Sequence, residues 1–276
     1  MKIAELRSKG EALLSKAAFD SPLHECDYLL SGALGVGIFE LRLDPEREIL
    51  PEKAAEILAF FDRRAAREPA QYILGTAPFR DLELEVTPAV LIPRPETEEL
   101  VGLALERAPF KAKVLDMGTG SGAIPLALKY ERADLAVTAA DLSPAALAIA
   151  RRNSERLGLA VEFCHSDLWS GFEGRVFDLV TANLPYVSEA EYKECAPEIF
   201  FEPVMALTAP DNGLALMKKM IEDLECHLSP GGCAIFELSD GQNPLICEFG
   251  RALGFSAECK YDMSGKARFV ILQRSR

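Results

Sequence analysis

The chain has 276 residues, 49% of them hydrophobic, and a net charge of −13. That length builds one large domain or two modest ones, each with its own core. Residues 1–74 carry −3 of the charge and the rest −10, which argues against a basic, phosphate-clamping face in the C-terminal part; with no signal peptide and no apolar run of spanning length, a cytoplasmic protein without a membrane partner is expected.

Residues 1 to about 68 read as helices. Ile3, Leu6, Leu13, Leu14 and Ala17 form one apolar stripe, and Leu29, Leu30 and Leu34 follow in a second. Ala54, Ile57, Leu58 and Phe61 form a third, with Pro51 in its first turn. Breaks are expected at Asp20–Pro22 and across Gly32–Gly37. The pattern predicts a small helical bundle over 1–74. From residue 69 the period changes: Leu82, Leu84 and Val86 alternate with Asp81, Glu83, Glu85 and Thr87, which predicts a β-hairpin acting as a linker over 75–92. In Val90–Val101 (VLIPRPETEELV), Pro93 and Pro95 hold Ile92 and Arg94 extended. Glu96, Thr97 and Glu98 then open a helix, with acidic residues at the favourable end of its dipole.

Residues 93–276 show an α/β rhythm. Val114 and Leu115 end a buried strand that Asp116 closes. Gly118, Gly120 and Gly122 make a turn, and a helix begins at Ala123, with Pro125 in its first turn. Strands are expected at Leu135–Ala140, Ala160–Cys164, Val176–Ala182 and Cys233–Leu238. Helices are expected at Ala145–Leu157, opened by Ser143 and Pro144, at Gly213–Leu228, stopped by Pro230-Gly231-Gly232, and at Gln242–Leu253. Two closing strands, Ala257–Tyr261 and Ala267–Gln273, are joined at Ser264-Gly265. This alternation implies a mostly parallel sheet with right-handed crossovers and an antiparallel last strand.

Ligands bind such sheets at the carboxyl ends of the strands. Gly118, Gly120 and Ala123 satisfy the dinucleotide pattern G-x-G-x-x-G/A, but Asp116, two residues earlier, would repel a pyrophosphate. It suits a cofactor with a cationic end, and S-adenosylmethionine offers an ammonium and a sulfonium. Asp141, at the next strand end, is placed to hold ribose hydroxyls. Asp167 could accept from an adenine amino group, with Leu168 or Trp169 against the ring. In Asn183-Leu184-Pro185-Tyr186, the Asn183 oxygen and the Leu184 carbonyl can each accept an N–H of a planar nitrogen, with Tyr186 packed on its flat face. Such a group catalyses methyl transfer mainly by positioning. The seven cysteines form no C-x-x-C pair and His24, His165 and His227 have no ligand spacing. Most of the cysteines are expected to be buried small hydrophobes in a reducing compartment, and no metal site is expected.

These segments resemble the HemK/PrmC family, the protein-glutamine methyltransferases that modify peptide chain release factors. The likeness is carried by VLIPRPETEELV, DMGTGSG (Asp116–Gly122), AQYILG (Ala70–Gly75), FEPVMAL (Phe201–Leu207) and the Asn-Leu-Pro-Tyr segment. It implies a Rossmann-like class I S-adenosylmethionine-dependent methyltransferase sheet behind a helical N-terminal domain and a hairpin. It implies methylation of the side-chain amide of the glutamine in a release factor's Gly-Gly-Gln motif. A monomer is expected, and the acidic charge speaks against stable nucleic-acid binding. Asn183, Pro185 and Tyr186 would be catalytic, and would hold the glutamine together with Leu184. Asp116, Gly118, Thr119, Gly120, Ser121, Gly122, Asp141, Asp167, Leu168, Trp169 and Asn183 would contact the cofactor. Ile92–Glu98, in particular Pro93, Arg94 and Glu96, would line the substrate side. The family usually has Asn-Pro-Pro-Tyr; Leu184 keeps the carbonyl but not the locked φ. Asn-Leu-Pro-Tyr also resembles the rRNA adenine dimethyltransferases, so an adenine-amino methyltransferase acting on rRNA or DNA is the alternative, and a non-catalytic binding module is a third reading.

Overall fold

The apolar stripes of the first 74 residues coil as the helices Ile3–Lys16, Pro22–Leu34, Ile38–Leu43, Pro51–Ala65 and Ala70–Leu74. Pro22 and Pro51 occupy first turns, where a missing N–H costs nothing. The short helices at Ile38 and Ala70 have too few turns to show a period in the sequence. Ile3, Leu6, Leu14, Leu29, Leu30, Ile57 and Phe61 form the core of this bundle. Asp27, fully buried, is held in it by Arg7 at 2.6 and 2.9 Å and by Arg42 at 3.1 Å. Such cationic partners keep a buried carboxylate ionised.

The computed structural model describes Met1–Ser275. It divides into Met1–Thr76 with Ala196–Phe201, and Ala77–Cys195 with Glu202 onward. In the first unit Glu198 reaches Arg64 and Arg67 at 3.1 and 3.2 Å.

The second unit is built on strands β3 (Lys113–Met117), β4 (Ala136–Asp141), β5 (Glu162–His165), β6 (Phe177–Ala182), β7 (Leu228–Glu237), β8 (Ser256–Tyr261) and β9 (Ala267–Gln273), in the order β5-β4-β3-β6-β7-β9-β8. β3 to β7 pair in parallel, and β9 runs antiparallel to both of its neighbours. Alternate residues supply opposite faces. Leu115, Val180, Phe236 and Val270 enter one core cluster; Val114, Leu179, Ile235 and Ile271 enter the other. A sheet buried on both faces explains why these strands read as unbroken apolar runs.

A preceding hairpin, β1 (Thr76–Phe79) and β2 (Leu82–Glu85), puts Phe79, Leu82 and Leu84 into the same cluster as Leu100, Val101 and Ala104 of helix Pro95–Arg107. Its second strand is therefore packed structure and not a loose tether. Pro230-Gly231-Gly232 also behaves differently from expectation. The helix over 213–228 is two pieces, Ala215–Glu222 and Leu224–His227, and β7 already begins at Leu228. Leu228 pairs with Phe177 and Cys233 with Leu179, so the intervening residues bulge inside the strand, a use of glycine that mimics a stop signal. The loop after β6 adds a helix, Glu189–Lys193, and the single turns Pro197–Phe201 and Val204–Ala206. Among the described residues no helix is long and apolar enough to cross a membrane.

Candidate active site

The chain leaves β3 toward β4 and β5 on one side and later returns to β6 and β7 on the other. The carboxyl ends of β3 and β6 thus form the crevice of the sheet's switch point. Met117 pairs with Ala182, so the next residues, Gly118 and Asn183, emerge side by side. Gly118, Gly120 and Gly122 have φ of +74°, +57° and +84°, a path that L side chains resist. At Gly118 a β-carbon would also lie 2.8 Å from Leu184 Cδ2. The turn is tied across the sheet: the Gly118 and Thr119 amides both donate to the Ala140 carbonyl at 2.9 Å. Asp141 completes the tie, accepting from Gly120 N at Oδ2 and from Ser143 N at Oδ1, each at 2.8 Å.

A cavity opens over these strand ends. Of the residues singled out in the sequence, Gly118, Gly120, Asp141, Asp167, Leu168, Asn183, Leu184 and Pro185 line it. Asp116, Thr119, Ser121, Gly122, Tyr186, Pro93, Arg94 and Glu96 do not line it. Trp169 is turned away altogether. Its ring stacks on His227 with centroids 4.2 Å apart, and Nε1 donates to the Met220 carbonyl at 2.8 Å. A 3₁₀ turn over Leu168–Gly171 sends the indole into the core and leaves Leu168 on the cavity side. Exposed Asp167 has Lys219 Nζ at 3.7 Å. Among the described residues no group of three or more His, Cys, Asp or Glu side chains could hold a metal.

Asp116 is fully buried beneath the turn. Thr181 Oγ1 donates to its Oδ1 at 2.8 Å, while Oδ2 has no hydrogen-bond partner. Burial pushes the carboxyl up to about 7, opposed by the hydroxyls of Thr119 and Thr181 and reinforced by Asp141. An orphaned carboxylate oxygen beside a glycine turn is under-satisfied until a cation comes near. This acceptor therefore fits the ammonium end of S-adenosylmethionine, which has N–H groups to donate.

On the other side of the crevice, Asn183 Nδ2 donates to Thr97 Oγ1 at 3.1 Å, and Thr97 donates to Glu237 Oε2 at 2.8 Å. The Tyr186 hydroxyl faces the second oxygen, Oε1, at 3.4 Å. Glu237 is 1% exposed at the end of β7. Burial pushes it up to about 7, with Thr97 and Arg268 opposing. Burial, then the charge of Glu237, push the Tyr186 phenol above its ordinary range, so it remains a donor. The Tyr186 carbonyl accepts from Gln242 Nε2 at 2.8 Å. A last brace crosses the rim: buried Glu202 accepts from Ile92 N at 3.1 Å and from Arg94 Nη2 at 2.5 Å. Glu202, Glu237 and Gln242 were not read as site residues from the sequence, and Thr97 only as part of the Ile92–Glu98 stretch on the substrate side. A glutamate in the otherwise apolar Cys233–Leu238, and one between Phe201 and Pro203, were the available signals.

Residues 5–75 match the family model described as the PrmC N-terminal domain, and residues 98–213 match the one described as the Methyltransferase small domain. A release factor glutamine methyltransferase of Deinococcus radiodurans is 36% identical over 277 aligned positions, covering 100% of this chain and 99% of that protein. Among solved structures, a methyltransferase of Pyrococcus furiosus has a TM-score of 0.56 at 21% identity, covering 82% of this chain and 100% of its own. The Thermus thermophilus 16S rRNA N2 G1207 methyltransferase, solved with AdoMet and guanosine, has a TM-score of 0.53 at 19% identity, covering 72% of this chain and 49% of its own. At these identities the two structures speak for the fold alone.

Proposed function

The chain belongs to the release factor glutamine methyltransferase family, and on that premise we propose that its strand-end crevice methylates the side-chain amide of the glutamine in a release factor's Gly-Gly-Gln motif. The enzyme is an S-adenosylmethionine-dependent protein-glutamine N-methyltransferase. The observation that supports this site is the emergence of the glycine turn and of Asn183–Tyr186 from adjacent strands, with Asn183, Leu184 and Pro185 in the wall of one cavity.

Bound S-adenosylmethionine supplies an electrophilic methyl group carried on a sulfonium. The Gly118–Gly122 turn would hold it, with Asp141 to accept from the ribose hydroxyls, Leu168 to pack on the adenine and Asp116 as the charge beneath the turn. Asn183 Oδ1 accepts one N–H of the glutamine amide and the Leu184 carbonyl accepts the other. Held by both protons, the amide nitrogen would present its lone pair to the methyl carbon; as the N–C bond formed, the methyl–sulfur bond would break with its electron pair passing to sulfur, and one N–H proton would leave to water. Fixing two donors of a flexible side chain removes rotational freedom before reaction, the entropic gain of a pre-oriented pair. Pro185 restricts Leu184 to extended backbone, which aims its carbonyl, and Tyr186 packs on the amide plane.

The proposal extends to a monomer acting in the cytoplasm, with the release factor as its protein partner and without stable nucleic-acid binding. Incubation with labelled S-adenosylmethionine and purified release factor, followed by peptide mass mapping, tests it. A methyl on the Gly-Gly-Gln glutamine is the expected result. Label recovered on adenine of rRNA or DNA, and none on protein, would replace it with the adenine reading.

A further inference from the structure

Asn183 can face a methyl acceptor with either end of its amide, and only one end works. The oxygen accepts an N–H of the acceptor nitrogen and leaves the lone pair free. The NH₂ end would donate into that lone pair and block attack. Something must therefore hold the amide one way round.

We propose that Thr97 and Glu237 are positioning residues that fix the rotation of the Asn183 amide, through a directed chain of hydrogen bonds from Asn183 Nδ2 to Thr97 Oγ1 and from Thr97 to Glu237 Oε2. The polarity follows from counting hydrogens. A hydroxyl has one hydrogen to give. An ionised carboxylate has none, so Glu237 at pH 8, above the value of about 7 to which burial pushes it, takes the Thr97 hydrogen, at 2.8 Å. The Thr97 oxygen is then left only as an acceptor. It accepts from Asn183 Nδ2 at 3.1 Å, and the opposite end of that amide, Oδ1, is the end free to meet a substrate. Among the described residues nothing donates to Asn183 Oδ1. Burial makes the arrangement directional, because Thr97 is 5% exposed and Glu237 1%, so water does not compete for either group.

The same carboxylate serves the other half of the motif, since its Oε1 faces the Tyr186 hydroxyl at 3.4 Å. One buried glutamate thereby sets the side chains at both ends of Asn183-Leu184-Pro185-Tyr186. The parts come from three places in the fold: the first turn of helix Pro95–Arg107, the end of β7 and the loop after β6. Ala182 pairs with Phe236, so Asn183 and Glu237 leave neighbouring strands at the same level. The inference rests on the proposed glutamine methylation, and its test keeps the two separable.

The experiment compares the wild-type enzyme with Thr97→Val, Thr97→Ser and Glu237→Gln. It measures, at pH 8, kcat and KM for purified release factor at saturating S-adenosylmethionine, the Kd of S-adenosylmethionine by calorimetry, and the far-ultraviolet circular dichroism of each variant. The wild type anchors the comparison: if it leaves the release factor unmethylated, the proposed function itself fails. Given wild-type turnover, Thr97→Val should lower kcat by about 10- to 100-fold, the scale of a misplaced reacting group, with the cofactor Kd within about threefold. Thr97→Ser, which keeps the hydroxyl, should recover most of the rate. Glu237→Gln, whose amide can donate to Thr97 and reverse the chain, should lose kcat like Thr97→Val. The proposal is overturned if folded Thr97→Val or Glu237→Gln turns over within threefold of wild type. It is equally overturned if Thr97→Ser is as slow as Thr97→Val, or if cofactor affinity falls in step with kcat, since each would mean packing and not hydrogen-bond direction.

Discussion

Replacing Asp116 by Asn should move stability and cofactor affinity in opposite directions. The carboxyl sits in the folded chain at about 7 against an ordinary 3.8. Between those values the folded state keeps a proton that the unfolded chain releases, so wild-type stability falls as pH rises through this window and is flat above it. At about 1.36 kcal/mol per unit, the fall between pH 5 and 7 is roughly 2.7 kcal/mol. Asparagine keeps the acceptor for Thr181 and cannot ionise, so its curve lacks this slope. Relative to wild type the variant should gain about 2–3 kcal/mol on going from pH 5 to 8. On the proposed function the cofactor's ammonium meanwhile loses its charged partner. A hydrogen bond to a charged group contributes about 1.5–3 kcal/mol, so the Kd for S-adenosylmethionine at pH 8 should rise roughly 10- to 150-fold. Urea unfolding of the cofactor-free protein, followed by the fluorescence of its one tryptophan, reads the first effect, because Trp169 is buried in the sheet unit's core. Calorimetric titration reads the second. Parallel stability curves from pH 5 to 8, or an unchanged Kd, would refute the account of Asp116 given above.

Asn183→Ala should lower kcat by about 100-fold or more while leaving S-adenosylmethionine affinity within severalfold; equal losses measured in both would remove it from the substrate side. Gly118→Ala should weaken cofactor binding and cost about 1–2 kcal/mol from its φ of +74° alone, plus the displacement of Leu184, and a crystal structure of the variant with Leu184 unmoved would contradict this. Glu202→Gln removes the charge that Arg94 needs but keeps an acceptor for Ile92 N. Its effect should be a severalfold rise in KM for the release factor with little change in cofactor Kd, read from steady-state kinetics; a change confined to the cofactor would place this brace on the wrong side of the site.

What could be read from the sequence is what is local along it. The strand, glycine turn and helix around Asp116–Ala123 form one continuous segment whose chemistry is written in its own neighbours, and the α/β rhythm after it predicts the parallel sheet and its antiparallel end. Thr97 and Glu237 lie 140 residues apart, and no spacing rule links them; only the sheet order brings them together. Trp169 shows a second kind of blindness. Adjacency to Asp167 says that a ring is near the cofactor end of β5 but not which way the 3₁₀ turn points it, and the partner that decides this, His227, comes from a distant helix. Pro230-Gly231-Gly232 shows a third, since a helix stop and a strand bulge ask for the same residues.

The contact between Leu184 and Gly118 has a practical side. Leu184 is 5% exposed, faces the cavity, and fills the space above a residue that has no side chain of its own. Shortening it leaves its backbone carbonyl, Asn183 and the carboxylates in place while widening the wall beside the turn. On the proposed function, a shortened side chain at position 184 would make room for cofactor analogues bearing groups larger than methyl, one residue at which the transfer chemistry would broaden without rebuilding the acceptor side.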